Sequence, residues 1–181
     1  MGDLHLLTVV RPTDPPQAVE DMYTTYLSPI GRLIIHDDGV LRGLWTEDNA
    51  PSVVSTRPAT GPVATWLDAY FAGENPPVTF PVEPEGTEFQ QAVWEALRDI
   101  PYGQTRTYGQ LAAAVGKSLA RSTSARAIGT ALGKNPILIV VPCHRVVGAD
   151  GTLTGYAGGL ERKRALLALE NAPLTLVARC A

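Results

Sequence analysis

The sequence predicts an α/β (α+β) fold in two parts, a small N-terminal unit and a mostly helical C-terminal half containing a helix-turn-helix. Three observations carry this. Residues 22–46 hold three short strand-like runs separated by the turn sequences SPIG and DDG. Two Thr-x-x-Gln patterns, Thr87 to Gln90 and Thr107 to Gln110, open apolar periodic segments in the second half. The first half is acidic and the second basic: residues 1–97 carry 4 Lys/Arg and 14 Asp/Glu, a balance of −10, and residues 98–181 carry 11 and 4, a balance of +7.

Taken in order, residues 1–21 are Pro-rich and aperiodic and are expected to form a loosely ordered arm. The N-terminal domain is expected over 22–78, with strands near 22–27, 32–36 and 40–46. A helix follows in VATWLDAYFAG, whose apolar Val63, Trp66, Leu67, Tyr70 and Phe71 recur at helical spacing up to Gly73. Residues 79–86 read as a linker. The second domain, 87–171, opens with a helix placing Phe89, Val93, Trp94 and Leu97 on one side. A second helix, YGQLAAAVG, is expected to end at Gly116, and a third to run from about Ser122 to Leu132. PILIVVPC reads as a buried strand, and LERKRALLALE as a closing helix before a tail over 172–181.

Composition narrows the function classes. With 181 residues, 45% hydrophobic and 18% charged, the chain can bury a core and is not of disordered type. No apolar run reaches the roughly 20 residues that span a bilayer, and acidic Asp3 stands where a secretory signal would be basic, so a cytoplasmic protein is expected. Two cysteines, Cys143 and Cys180, make neither a disulfide framework nor a zinc-site spacing, so no metal or other cofactor is expected. The basic half points to a polyanion such as nucleic acid, although charges of either sign also serve simply to solvate a surface. The helix pair at 107–132 suits a DNA-binding helix-turn-helix or an ordinary packed core.

The chemistry-bearing stretch is IVVPCHRVVG. A buried cysteine is usually inert, but Cys143 is followed by His144 and Arg145, and cationic or hydrogen-bonding neighbours favour thiolate. In an extended segment Cys143 and His144 would point apart, which makes a bridging water the expected proton route. His144 then needs an acceptor on its other ring nitrogen. Of the acids after Cys143, Glu170 sits on the apolar side of its predicted helix, where a carboxylate must be paired.

PCHRVV, followed by GTLTGYAGGLERKRALLALE and preceded by TYGQLA, ARAIG and KNP, resembles the O6-alkylguanine-DNA alkyltransferases, also called methylated-DNA-protein-cysteine methyltransferases. The likeness covers about residues 86–171 and continues more loosely through SPIGRL. It implies an N-terminal domain of RNase H-like topology and a monomer acting on duplex DNA that carries O6-alkylguanine, with cooperative loading on DNA left open. The activity it implies is direct reversal: an alkyl group passes irreversibly from guanine O6, and from thymine O4, to the protein. Cys143 would be the acceptor, His144 the water-mediated base, Glu170 its orienting group, and Tyr108 the residue that helps rotate the nucleotide and protonates the leaving guanine. Arg126 would fill the vacated stack. Ser124, Gly129 and Thr130 would face the minor groove, where small residues allow close approach. Asn135 would brace the segment before the cysteine, with Pro142, Val146, Val147, Tyr156, Ala157 and Gly158 around the base.

Two departures stand out. KSLARSTSA makes the helix-turn-helix turn about four residues longer than usual, and Ala157 replaces the serine of some relatives. Rival readings are a lesion binder without transfer, a transcription regulator with a structural cysteine, and a cysteine hydrolase. Cys143 argues against the first, a regulator would need strong sequence preference, and a hydrolase would need a base directly against its nucleophile.

Overall fold

A computed structural model describes residues 22–52 and 55–172. The arm expected over 1–21, Cys180 and all of the tail but Ala172 lie outside the described residues. The N-terminal half is an antiparallel meander of β1 (Tyr23–Ser28), β2 (Gly31–Asp37) and β3 (Leu41–Thr46), followed by α1 (Pro62–Phe71). Register runs from Tyr23 opposite His36 to Ser28 opposite Gly31, closing a two-residue turn at Pro29 and Ile30. Gly31 adopts a φ of +109°, which an L side chain rarely takes. Helix α1 stops at Ala72 with Gly73 at φ +85°, the expected glycine end.

The C-terminal half holds α2 (Glu88–Arg98), α3 (Tyr108–Ser118), α4 (Ala125–Leu132) and α5 (Leu160–Leu169), with a short parallel pair of β4 (Arg106–Thr107) and β5 (Val146–Val147). Both Thr-x-x-Gln patterns form reciprocal capping boxes. The mixed α/β class is as expected, with five α-helices among the described residues. None of them is long and apolar enough to cross a membrane.

Three local expectations fail for identifiable reasons. Helix α3 passes through Gly116 to Ser118. Gly116 is there because a Cβ would lie 2.9 Å from the Arg121 carbonyl, and the helix ends in a Schellman-type closure with Ala120 at φ +49°. The extra turn residues are absorbed in this closure, so α4 starts at Ala125 and not at Ser122. PILIVVPC is buried but is not a strand. After Ile137 bridges Leu44 the chain folds into tight turns, with Ile139 at φ +69°, because the Asn135 side chain takes up the Ile137 N–H and the Val141 carbonyl that a strand would offer to neighbours.

One hydrophobic cluster joins both halves, from Leu33, Leu44 and Leu67 to Val93, Ile128, Ile137 and Leu166. Backbone bonds cross the same seam: Leu44 N–H donates to the Pro136 carbonyl and Leu138 N–H to the Leu44 carbonyl, both at 2.8 Å. Thus β3 carries the segment that leads to Cys143.

Candidate active site

Pro142 is followed by a 3-10 turn, Cys143–Arg145, in place of extended chain. A cavity of about 760 Å³ opens at Cys143, walled by Tyr108, Ala125, Gly129, Tyr156 and Ala157 among others. The sulfur, although 4% exposed as a residue, is therefore not sealed in hydrocarbon. Tyr108 reaches the wall because β4 pairs with β5, which sets the first turn of α3 beside the chain leaving the cysteine. Its hydroxyl donates to the Thr154 carbonyl at 2.8 Å, and burial raises its pKa.

Behind the sulfur lies a buried ionic cluster. His144 Nε2 is 2.7 Å from Glu170 Oε1, and Arg145 grips the carboxylate through Nε (2.9 Å) and Nη2 (3.0 Å). Gly103 N–H and the Tyr70 hydroxyl complete the shell. Burial pushes the Glu170 carboxyl up, but donation from His144, Arg145 and Tyr70 outweighs it and holds Glu170 well below the usual carboxylate range. Burial dominates at His144 and lowers its pKa, so the imidazole is neutral. An ionised Glu170 only accepts, which puts the ring proton on Nε2 and leaves Nδ1 bare; Nδ1 has no partner among the described residues.

The thiol departs from expectation. Burial pushes Cys143 up to about 11, opposed by the Asn135 amide and Lys163. His144 is uncharged and Arg145 is committed to Glu170 and the Ile100 carbonyl, so neither supplies the positive neighbour the sequence pointed to. The sulfur rests as a thiol.

The Asn135 amide donates to the Val141 carbonyl (2.9 Å) and to Cys143 Sγ (3.2 Å). Ala157 and Tyr156 line the cavity, whereas Asn135, Pro142, Val146, Val147 and Gly158 stand outside its wall. Val146 and Val147 are held away by pairing with Arg106 and Thr107. Gly158 packs under the Tyr156 ring, 2.6 Å from where its Cβ would stand. Ser124 caps α4 by accepting from Ala127 N–H, and Thr130 bonds back to the Arg126 carbonyl. Arg126 is exposed on α4 and, among the described residues, makes no ion pair.

Sequence reasoning missed Lys163, which is fully buried and donates to the Val146, Thr154 and Gly155 carbonyls at 2.6, 2.7 and 3.1 Å. Burial lowers it to about 8. The signal available was a lysine at helical spacing with Leu166, Leu167 and Glu170. Also missed were Arg162, which donates to the Ile30 (2.8 Å) and Gly158 (3.0 Å) carbonyls and pairs with Asp48, and Asn49, which donates to the Ala157 carbonyl. These two tie the N-terminal half to the loop over the cavity.

Residues 88–172 match the family model described as 6-O-methylguanine DNA methyltransferase, DNA binding domain. A methylated-DNA–protein-cysteine methyltransferase of Mycobacterium leprae is 52% identical over 150 residues, covering 80% of this chain and 88% of that protein. One from Methanosarcina acetivorans is 43% identical over 156 residues, covering 82% and 97%. The crystal structure of Mycobacterium tuberculosis OGT in complex with DNA superposes with a TM-score of 0.72 at 46% identity, covering 83% of this chain and 94% of that one.

Proposed function

The chain belongs to the 6-O-methylguanine DNA methyltransferase family and repairs DNA by methyl transfer to cysteine, and on that premise we propose that Cys143 is the acceptor in a single-turnover reaction with O6-alkylguanine in duplex DNA. One observation carries the assignment: the only cysteine among the described residues stands at a cavity wall and is followed by a neutral His144 held by the ionised Glu170.

Because the sulfur rests as a thiol, it must lose its proton at the moment of attack. His144 Nδ1 takes it through one intervening water, and Glu170 stabilises the imidazolium that results. The sulfur then bonds to the alkyl carbon as the carbon–O6 bond breaks, and that electron pair leaves with guanine. Tyr108 gives up its Thr154 contact and donates its hydroxyl proton to the departing base; the tyrosinate takes a proton back from solvent and the His144 imidazolium releases one to it, so the protons balance. The S-alkyl bond is stable, so each molecule acts once.

The target atom lies inside the duplex, so the nucleotide must be turned out, which costs a few kcal/mol. Exposed Arg126, beside Gly129 and Thr130 on α4, is the side chain to occupy the gap from the minor-groove side. Thymine O4 presents the same alkyl-oxygen chemistry. A monomer working in the cytoplasm without a cofactor completes this reading.

Incubation with a duplex containing one O6-methylguanine should add a single methyl mass to the peptide holding Cys143, and Cys143→Ser should abolish uptake. Methyl on another residue, or none on active-site peptide at lesion saturation, defeats the assignment.

A further inference from the structure

Helix α1 turns Val63, Trp66, Leu67 and Tyr70 inward, the apolar face of an ordinary amphipathic helix. The Tyr70 ring stacks on Trp66 at 5.2 Å and meets Phe71 and Tyr102 edge-on at 5.4 and 6.0 Å. A phenylalanine would satisfy all of that packing. The hydroxyl is the part that packing does not require, and it donates to Glu170 Oε1 at 2.7 Å across a sequence separation of 100 residues. The same oxygen faces His144 Nε2, which lies 3.5 Å from the Tyr70 hydroxyl.

We propose that Tyr70 is a positioning residue of the methyl-transfer site, its hydroxyl fixing the Glu170 carboxylate against the His144 ring so that the N-terminal half supplies part of the proton relay. The inference rests on the reading of the site given above. Glu170 already has Arg145 on both oxygens and Gly103 N–H on Oε2, so the hydroxyl is not needed to neutralise or satisfy it. What it adds is competition at Oε1. A carboxylate oxygen that accepts from Tyr70 offers less electron density to the His144 N–H, and the imidazole holds an extra proton less readily.

Every ionisable group around the ring bears on this balance. Glu170 favours the imidazolium, while Arg145 and Lys163 oppose it. Tyr156 meets the ring edge-on at 6.5 Å and stays un-ionised, as do Tyr102 beside Glu170 and the Cys143 thiol. Tyr70, itself raised by burial beside Glu170, remains a donor throughout. Removing its hydroxyl should let His144 charge at higher pH and take the base out of action sooner on acidification.

The experiment compares single-turnover methyl uptake against pH for the full chain, Tyr70→Phe, and Tyr70 replaced by 3-fluorotyrosine, with the His144 ring followed in parallel by 15N NMR. Tyr70→Phe should move the acid limb and the His144 titration up by about half a pH unit or more. 3-Fluorotyrosine, a stronger donor, should move both down. Coincident limbs and titrations in all three proteins overturn the inference, and the NMR arm reads this even without DNA. Failure of methyl uptake by the wild-type chain would instead sink the functional reading. Should Tyr70→Phe fold poorly, the fluorinated protein decides alone, since it keeps both ring and hydroxyl.

Discussion

Asn135 donates its side-chain amide to the Cys143 sulfur at 3.2 Å while the other end of the same amide accepts from Ile137 N–H. The Cys143 thiol and the turn that presents it are therefore held by one side chain. Asn135→Ala should cost about 2–3 kcal/mol of stability, because the Ile137 N–H and Val141 carbonyl lose a buried partner. It should also slow methyl transfer by roughly tenfold or more, for each pKa unit added to the sulfur removes about a factor of ten in thiolate. Denaturant unfolding and single-turnover uptake measure the two effects, and a variant that keeps wild-type rates contradicts the sulfur contact.

Stability should fall on mild acidification. His144 is held neutral, so its folded pKa lies below its unfolded value of about 6.5, and the unfolded chain binds the proton first as pH drops through that value. Glu170 is likewise depressed, and its contribution, present above its unfolded value of about 4.3, is lost as pH falls further. Melting temperatures from pH 8 to about pH 3 should decline in two stages, the first beginning near pH 6.5 and the second below about pH 4.3. His144→Gln should remove that first stage, and an unchanged profile in the variant speaks against a neutral His144.

Arg162 holds the loop over the cavity from the N-terminal side through Ile30 and Gly158. Arg162→Lys keeps the charge but cannot make both contacts at once in the same geometry. Amide exchange at residues 155–159 should accelerate at least several-fold, and methyl uptake should slow while iodoacetamide labelling of Cys143 stays within twofold. Unaltered exchange in the loop refutes the tether.

Two left-handed residues give opposite outcomes when changed to glycine. Ala120 closes α3 on the surface side of the helix-turn-helix at φ +49°, and Ala120→Gly should stabilise the protein by about 1 kcal/mol. Ile139 has a φ of +69° but is 1% exposed, and its lost burial outweighs the relieved backbone, so Ile139→Gly should destabilise by about 3 kcal/mol. Thermal melts of both variants check the pair.

What could be read from the chain alone was local. The meander shows in its turn residues, and α2 and α3 show in their capping boxes, because those signals lie within four residues of each other. Cys143, His144, Glu170 and Tyr108 stood out through motif and charge placement. The turn at 137–141 did not, since an apolar run looks the same whether it pairs as a strand or is folded up by a distant asparagine amide. Lys163 was hidden as one more cation in ERKR. Tyr70 counted only as packing, because nothing near it in sequence points to a carboxylate 100 residues away.

The seam where β3 meets Ile137 has a practical corollary. Much of what fastens the two halves is non-covalent, so a chain nicked at the exposed Gly73–Glu74 junction should stay in one piece and keep its chemistry. Fragments made separately there ought to reassemble into a working protein, which would turn this repair protein into a two-component reporter whose signal depends on bringing its pieces together.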